Sequence, residues 1–354
     1  MDSFKGDFPV ENVLLNKKNI LILKCLQSLF VAVAVLPTSI HAAPLPLHNS
    51  FPTLQPFLGL QQKPLNRDTL LTTSLEHSSV SFFRQNDRVT ANFDLEVSRL
   101  NLSWQQPVTD DLLLSVDLPV VSYSSGAFDS LINGYHSAFG FPENGRDLRP
   151  DNQFLYQFEY LGQPLVQANN GKYYFADARI AVDWLFSADS QWALGLIAEA
   201  PLSSGRHGVS NGHWDFAISM AYQQQDIKPR SELWLDNLLN IAQLTSFHWK
   251  AGWYLPGDWK GSQQTLAAKN NFQIAAGASV PLDSNWQLVL DVLAQQSPFE
   301  TTGIRELDSA SVTVAAGMQW QADQSNLLSI HFVEDLNTAA SADIGLIVGW
   351  QKTF

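Results

Sequence analysis

The 354-residue chain has one cysteine, few charged residues and an excess of acids over bases. Cys25 lies in an N-terminal segment that we expect to be removed. The remaining chain then has no thiol for a disulfide, a thiolate metal site or a cysteine nucleophile. The formal net charge of -13 argues against a nucleic-acid partner. Beyond the N-terminal segment, the sequence has no apolar run of the roughly 20 residues that a membrane-spanning helix needs.

The N-terminus has the three parts of a secretory signal peptide. Lys17, Lys18 and Lys24 precede an apolar run at 25–36, and Ala42 belongs to a small-residue exit that follows it. We expect cleavage after Ala42, so that residues 1–42 are the signal peptide. An N-terminal anchor helix is the alternative interpretation.

The end of the chain alternates apolar with small or polar residues, which is the side-chain period of a β-strand. The apolar face carries Ile344, Leu346, Val348, Trp350 and Phe354. A strand of this kind is typical of an outer-membrane barrel, where one face meets lipid and the other a wet lumen. The ending also resembles the signal that the barrel-assembly machinery reads, formed here by Gly349, Trp350 and Phe354.

The same alternation recurs from about Thr69 to Phe354. Short polar links lie at 107–111, 187–190, 281–285 and 322–326, and longer links at 124–172, 203–213, 256–271, 297–309 and 337–342. The two sets alternate, as periplasmic turns and extracellular loops do in outer-membrane barrels. The sequence therefore predicts an all-β protein: a closed antiparallel transmembrane barrel of about twelve strands at 67–354, with a long extracellular loop at 124–172.

Three segments refine this prediction. Residues 225–243 have helical spacing of apolar residues and are interpreted as an interfacial helix, although pairing as strands would raise the count to fourteen. The strand at 89–105 changes phase near Ser98 and Arg99, which predicts a bulge. The proline-rich segment 43–66 is predicted to be extended and to lie in the periplasm or inside the lumen, since proline disfavours a central strand.

Tryptophan placement supports a barrel. Six tryptophans fall on predicted lipid faces next to predicted periplasmic turns or the C-terminus: Trp104, Trp184, Trp192, Trp286, Trp320 and Trp350. Aromatic girdles at the level of lipid headgroups produce this pattern. A water-soluble β-sandwich with buried tryptophans is the alternative, but it explains neither the leader nor the clustering at one end.

The predicted inward faces carry ionisable residues, among which acids outnumber bases. They include Asp117, Asp177, Arg179, Asp183, Glu199, Asp215, His248, Lys250, Asp291 and His331. A solvated, hydrogen-bonded lumen explains them, because barrel interiors are normally polar. A cation-biased pore is the sharper interpretation, since carboxylates raise the local concentration of cations.

The richest loop, at 124–152, supplies the candidate binding residues Asp129, His136, Glu143, Arg146 and Asp147. Asp129 and His136 with a further carboxylate are the residue types of an acid–base set. The loop has no serine elbow, HExxH pair or carboxylate-rich calcium pattern, so we predict no catalytic residue, metal or cofactor there. We expect a loop that folds inward and is pinned by Arg146.

This loop resembles the Gram-negative outer-membrane proteins grouped as domain of unknown function number 3187. The resemblance rests on the run G-A-F-D-S-L-I at 126–132 and on His136, Phe139, Gly140, Pro142, Gly145, Arg146, Pro150 and Asn152. The segment at 49–52 and Glu334-Asp335-Leu336 add to it. The resemblance implies a β-barrel and an outer-membrane location, and it implies no established activity.

The sequence thus predicts an outer-membrane protein that gives a small polar solute, of unknown identity, a narrow path or facilitated passage. Its expected partners are outer-membrane lipid, lipopolysaccharide and the barrel-assembly machinery. Two alternatives stay open. One is an outer-membrane enzyme acting on lipid or lipopolysaccharide, which predicts that polar groups of the 129–147 loop converge near the lipid boundary. The other is an envelope-structural or adhesion protein with a plugged lumen.

Overall fold

The structure is a computed structural model, and it describes residues 44, 47–57, 59–126, 128, 134, 150–186, 191–224, 246–283, 285–336, 342 and 344–354. The predicted signal peptide and the predicted helix at 225–243 lie outside these residues. No helix in the described part of the chain is long and apolar enough to cross a membrane.

The chain is almost entirely β-structure. In chain order the strands are β1 (Leu70–Gln85), β2 (Val89–Thr109), β3 (Leu112–Ser124), β4 (Leu155–Tyr160), β5 (Gln163–Pro164), β6 (Lys172–Phe175), β7 (Ala178–Leu185), β8 (Trp192–Ala200), β9 (Asp215–Gln223), β10 (Ser246–Leu255), β11 (Trp259–Lys260), β12 (Thr265–Leu266), β13 (Asn271–Pro281), β14 (Trp286–Gln295), β15 (Ser311–Gln321), β16 (Asn326–Asp335) and β17 (Ile344–Thr353). The only other regular elements in the described residues are a 3-10 turn (Gly205–His207) and a short helix, α1 (Arg305–Asp308).

Twelve of these strands, β1–β3, β7–β10 and β13–β17, form a closed antiparallel ring. The first and last strands close it, with paired residues running from Leu70 opposite Thr353 to Ser79 opposite Ile344. Closure leaves no sheet edge with unpaired backbone groups, which is the condition for a β-structure in lipid. The predicted closed barrel and its closing pair are confirmed, with twelve strands in the ring and not fourteen.

The two ends of the barrel differ. The short-turn end carries the β2–β3, β13–β14 and β15–β16 turns and both chain-terminal strand ends, and the opposite end is the long-loop end. Asp283 and Asp323 start two of the short turns by accepting hydrogen bonds from backbone N–H groups two and three residues on. Asp323 also accepts hydrogen bonds from the Asn326 side chain. The hydrogen bonds that Asp323 accepts hold its pKa below its usual value.

Aromatic residues form two outward levels. Five of the six tryptophans predicted for the short-turn end are exposed and the sixth, Trp104, is half-buried. Trp214 and Phe216 lie outward at the other end of β9 and stack with ring centroids 6.4 Å apart. From Trp214 to Tyr222 the strand rises about 20 Å along the barrel axis, given a rise of ~3.3 Å per residue and a tilt of ~40°. This height suits the apolar band of a transmembrane barrel.

The predicted bulge near Ser98 is wrong. Pairing between β1 and β2 runs without a break from Leu70 opposite Gln105 to Gln85 opposite Thr90. The inward residues in the long-loop half of β2 are apolar: Val89, Ala91, Phe93, Leu95 and Val97. The apolar residues of β2 change from odd-numbered to even-numbered positions near Ser98. They face inward in the long-loop half of the strand and outward in the short-turn half. The irregularity that does occur lies between Pro107 and Thr109.

Between Lys172 and Leu185 the chain forms two strands, β6 and β7, separated at Ala176 and Asp177. Both pieces pair with β3, and the register shifts by one residue between them, since Val120 lies opposite Phe175 whereas Asp117 lies opposite Arg179. The predicted loop at 124–172 contains β4, which extends the sheet by pairing with the long-loop end of β2. The wall is therefore tallest at β1–β3.

The described residues between 47 and 69, here called the lumen segment, lie inside the barrel and carry no strand of their own. His48 meets the middle of β1, and Phe51 packs against Phe82 and Phe93 near the long-loop end. The chain then turns back, and Pro64 reaches Gln105 at the short-turn end. Of the two positions left open for the proline-rich segment, the structure has the one inside the lumen.

Candidate functional site in the barrel lumen

The charged residues expected to face the lumen are all buried. Their exposed fractions lie between 0 and 5% for Asp117, Asp177, Arg179, Asp183, Glu199, Asp215, His248, Lys250, Asp291 and His331. Outward neighbours on the same strands, such as Ile180 and Trp184, are exposed. The strand period of two therefore places the ionisable set inside and the apolar set outside.

Arg179 is the centre of a polar network on the β7–β10 side of the lumen. Its guanidinium donates to Glu199 Oε1 at 2.7 and 3.0 Å, and to the backbone oxygen of Gly59 in the lumen segment. The hydroxyl of Tyr254 lies 2.8 Å from Glu199 Oε2 and 2.7 Å from Asp215 Oδ2. One cation, two carboxylates and a phenol thus join four wall strands, β7 to β10, to the lumen segment.

Further pairs line the wall toward the short-turn end. His248 Nε2 lies 2.5 Å from Asp291 Oδ1, and Lys250 Nζ lies 3.4 Å from Asp183 Oδ1. Gly277 makes room for the first pair, because a Cβ there would collide with both Asp291 and His248. These wall side chains are paired with one another, so the wall itself neutralises part of the charge that faces the lumen.

The lumen segment completes the network with groups that the sequence did not single out. Lys63 donates to both carboxylate oxygens of Asp117, at 2.7 and 2.8 Å. His48 Nε2 lies 3.2 Å from Glu76 Oε2, and Arg99 donates to Gln55 Oε1 at 3.0 Å. Arg99 points inward although it lies where the sequence predicted a bulge.

Toward the long-loop end the lumen is apolar, which a uniformly polar interior does not predict. A buried cluster there combines the lumen segment with β2, β4 and the loop residues, and includes Phe51, Phe57, Phe93, Tyr123, Tyr156, Phe158, Trp259 and Phe299. Phe57 meets Trp259 and Phe299 edge-on, with ring centroids 6.1 and 5.6 Å apart. The passage through the barrel is therefore closed at this level by aromatic packing.

The candidate loop residues Asp129, His136, Glu143, Arg146 and Asp147 lie outside the described residues. Phe128, which precedes Asp129, is described and lies on the outward face of the wall. Its N–H donates to Glu96 Oε1 at 2.6 Å, and its ring meets the His77 ring edge-on at 4.6 Å. Phe128 therefore lies against the outside of the wall, and the inward-folding loop pinned by Arg146 stays a prediction. Residues of β4, which follows in the predicted 124–172 loop, pack in the apolar cluster at the long-loop end.

The predicted assembly-signal residues lie at the short-turn end. Gly349 faces inward, while Trp350 faces outward and its indole N–H donates to Asn326 Oδ1 at 3.0 Å. Phe354 is exposed, with the Lys352 ammonium 5.1 Å from the centre of its ring. No group of three or more His, Cys, Asp or Glu side chains in the described part of the chain is arranged to hold a metal ion.

Several solved structures that match this fold are named as outer-membrane channels, porins or transporters. An outer-membrane channel from Pseudomonas putida F1 of the COG4313 group is 11% identical and has a TM-score of 0.50, and the match covers 82% of this chain and 97% of that one. The NanC porin is 8% identical, with a TM-score of 0.40 and coverage of 81% and 100%. The P. putida toluene transporter TodX is 11% identical, with a TM-score of 0.36 and coverage of 86% and 93%.

At such low identity the likeness to the P. putida F1 channel concerns the fold. Comparison with curated protein sequences finds no match. The model of the family described as "Protein of unknown function (DUF3187)" matches residues 22–354, in agreement with the resemblance seen in the loop motif. The chain therefore belongs to the DUF3187 family.

Proposed function

We propose that the protein resides in the outer membrane of a Gram-negative bacterium and passes a small polar solute through its lumen, with the lumen segment as a gate. In this proposal the signal peptide is removed on export, the barrel-assembly machinery inserts the chain, and lipid and lipopolysaccharide surround the wall. The observation that carries the proposal is the way in which the lumen segment is held.

The lumen segment is attached to the wall by hydrogen bonds, ion pairs and side-chain packing, and not by strand pairing. The N–H of Leu60 donates to the Gln273 side chain, and the N–H of Leu65 to the Gln223 side chain, each at 2.7 Å. A single hydrogen bond contributes roughly 0.5–1.5 kcal/mol net. The segment can therefore be released while the ring of backbone pairs remains intact, which is what a gate requires.

Charge suggests the class of solute. Withdrawal of the lumen segment takes Lys63 from Asp117 and leaves the wall with more carboxylates than cations. A passage lined in this way raises the local concentration of cations. The open state is therefore expected to favour cations or uncharged polar solutes over anions.

Conductance in planar bilayers tests the proposal. Purified full-length protein is compared with a variant lacking residues 44–66, in a KCl gradient that reports selectivity. We expect a mostly closed full-length protein and a steadily conducting, cation-selective variant. Heat-modifiable gel mobility checks that both barrels are folded. A folded variant without conductance contradicts the proposal.

The aromatic cluster at the long-loop end favours a second candidate. A barrel that stays closed and presents its loops to partners is expected of an envelope-structural or adhesion protein. The same bilayer experiment separates the two, because such a protein gains no defined, selective conductance when its lumen segment is removed.

A further inference from the structure

The outward face of β1 and β2 changes character part of the way along these strands. Toward the short-turn end it is apolar and faces lipid, with Leu75 52% and Leu100 45% exposed. The next outward residues toward the long-loop end are His77, Ser79 and Ser81 on β1, and Ser98, Glu96, Asp94 and Asn92 on β2. Lipid-facing positions of a barrel are apolar only within the hydrocarbon layer. This switch therefore marks a local boundary between acyl chains and polar groups.

Three residues at this boundary, here called the outer-wall cluster, are joined in a chain of hydrogen bonds: Glu96, His77 and Ser98. His77 Nε2 lies 2.8 Å from Glu96 Oε2, and His77 Nδ1 lies 2.8 Å from Ser98 Oγ. With a neutral imidazole, Nε2–H donates to the carboxylate and Nδ1 accepts the serine O–H. The strand register enforces this contact, because His77 lies opposite Ser98 in the β1–β2 ladder.

The carboxylate and the hydroxyl of the outer-wall cluster differ in how exposed they are. Glu96 is 1% exposed, and the backbone N–H of Phe128 donates to its other oxygen. Ser98 is only half-buried and borders the lipid-facing Leu100. The carboxylate is thus shielded, while the hydroxyl is accessible from the side of the barrel where lipid lies.

We propose that the outer-wall cluster is the active site of a serine hydrolase that cleaves fatty acyl esters of lipids beside the barrel. A serine bonded to a histidine that a carboxylate orients is the arrangement that activates a hydroxyl for acyl transfer. Ser98 is the nucleophile, His77 the general base, and Glu96 a positioning residue that acts through His77. This activity is independent of passage through the lumen.

The reaction balances with water alone. Ser98 Oγ attacks the ester carbonyl while His77 Nδ1 takes its proton, and the ester C–O bond breaks as His77 returns that proton to the leaving alcohol. Water then attacks the acyl-Ser98 ester with His77 again as the base, releasing a fatty acid and restoring the serine. The ester bonds of membrane lipids lie between acyl chains and headgroups, which is the boundary where Ser98 lies.

Another serine carries a more familiar motif but cannot perform this reaction. Residues 208–212 read G-x-S-x-G, which in hydrolases presents the serine on an exposed strand-to-helix turn. Here the pattern lies in the β8–β9 loop, and Ser210 is fully buried. Its hydroxyl accepts the N–H of Gly212 at 3.0 Å. The accessible serine bonded to a histidine is therefore Ser98.

Labelling with a fluorophosphonate tests the nucleophile on purified, folded full-length protein. We expect one adduct, located on Ser98 by peptide mass spectrometry and absent from Ser98→Ala. Labelling of His77→Asn should fall by roughly 10²-fold or more, the usual contribution of a general base. Ser122→Ala is the matched control, since Ser122 lies opposite Ser98 on β3 and should label normally. No adduct, or an adduct on Ser79, overturns the assignment.

Fatty acid release tests the reaction and separates two lipid sources. Protein is mixed with phosphatidylethanolamine–phosphatidylglycerol vesicles in one arm and with purified lipopolysaccharide in the other. We expect release in at least one arm, a loss of about 10³-fold or more in Ser98→Ala, and a lower kcat at unchanged KM in Glu96→Gln. Heat-modifiable mobility confirms that each variant is folded. No release in either arm overturns the proposal. Ser98→Ala should conduct like the unmodified protein, because the hydrolase activity is independent of the proposed channel.

Discussion

Lys63 of the lumen segment donates hydrogen bonds to both carboxylate oxygens of Asp117 on β3, at 2.7 and 2.8 Å. Asp117 is 2% exposed, and only 12% of the Lys63 side chain is exposed. Breaking a buried pair by removing one partner is costly, because the other charge stays buried without compensation. This pair is therefore the firmest electrostatic link between the gate proposed for the lumen and the wall.

Lys63→Met should loosen the lumen segment and raise the conductance of purified protein in planar bilayers. The single change leaves Asp117 buried and unpaired, at a cost of roughly 3–5 kcal/mol. The double variant Lys63→Met/Asp117→Asn removes both charges and should return conductance toward that of the unmodified protein. A double variant as leaky as the single one would show that the uncompensated charge of Asp117 is not what opens the gate.

A disulfide between the lumen segment and the wall should lock the lumen shut. Asn49 and Ser311 suit this test because their side chains are in contact, with Asn49 Nδ2 donating to Ser311 Oγ at 3.1 Å. The only native cysteine, Cys25, lies in the proposed signal peptide, so protein expressed from residue 43 has no other cysteine to mispair with Asn49→Cys/Ser311→Cys. Spontaneous openings should disappear on oxidation and return with dithiothreitol. Each single-cysteine variant is the control. Openings that persist in protein shown by mass spectrometry to be cross-linked would argue against movement of this segment.

Gly277→Ala should destabilise the barrel. The added Cβ would collide with Asp291 and His248, whose hydrogen bond would have to shift or break. Overpacking of this kind costs typically 1–3 kcal/mol, so the midpoint of urea unfolding should fall. Ala276→Val is the control, since it adds two methyl groups to an outward position of the same strand. Equal midpoints for both variants would mean that the wall accommodates the methyl group freely.

The barrel could be predicted from the sequence because alternation is local. Leu288 and Trp320, for example, lie on their outward faces whatever the rest of the chain does, and the ring follows once each strand has one apolar face. The lumen segment is different. Its partners Glu76, Arg99 and Asp117 are distant in sequence, and no pattern in a proline-rich stretch indicates which wall residue it meets.

The bulge predicted in β2 is absent for a related reason, the aromatic packing inside the barrel. Val97 and Arg99 both point inward, one toward the apolar cluster and one toward Gln55. If every inward position is assumed to be polar, a strand with both apolar and polar inward residues is interpreted as bulged. Likewise, His77 and Ser98 form no linear motif, and only the β1–β2 register shows that they are neighbours.

Phe128→Ala should detach the described end of the 124–152 loop from the outer wall without unfolding the barrel. The ring meets His77 at 4.6 Å, and an aromatic pair of this kind contributes about 0.5–1.5 kcal/mol beyond its burial. The loop carries one trypsin site, after Arg146, because Pro150 protects the bond after Arg149, so cleavage after Arg146 should quicken. Phe83→Ala, an exposed outward phenylalanine on β1, serves as the control and should leave cleavage unchanged.

Because Phe128 also contacts Glu96, labelling of Ser98 should fall in Phe128→Ala as the carboxylate loses this contact. Unchanged proteolysis together with unchanged labelling would mean that Phe128 neither anchors the loop nor supports the outer-wall cluster.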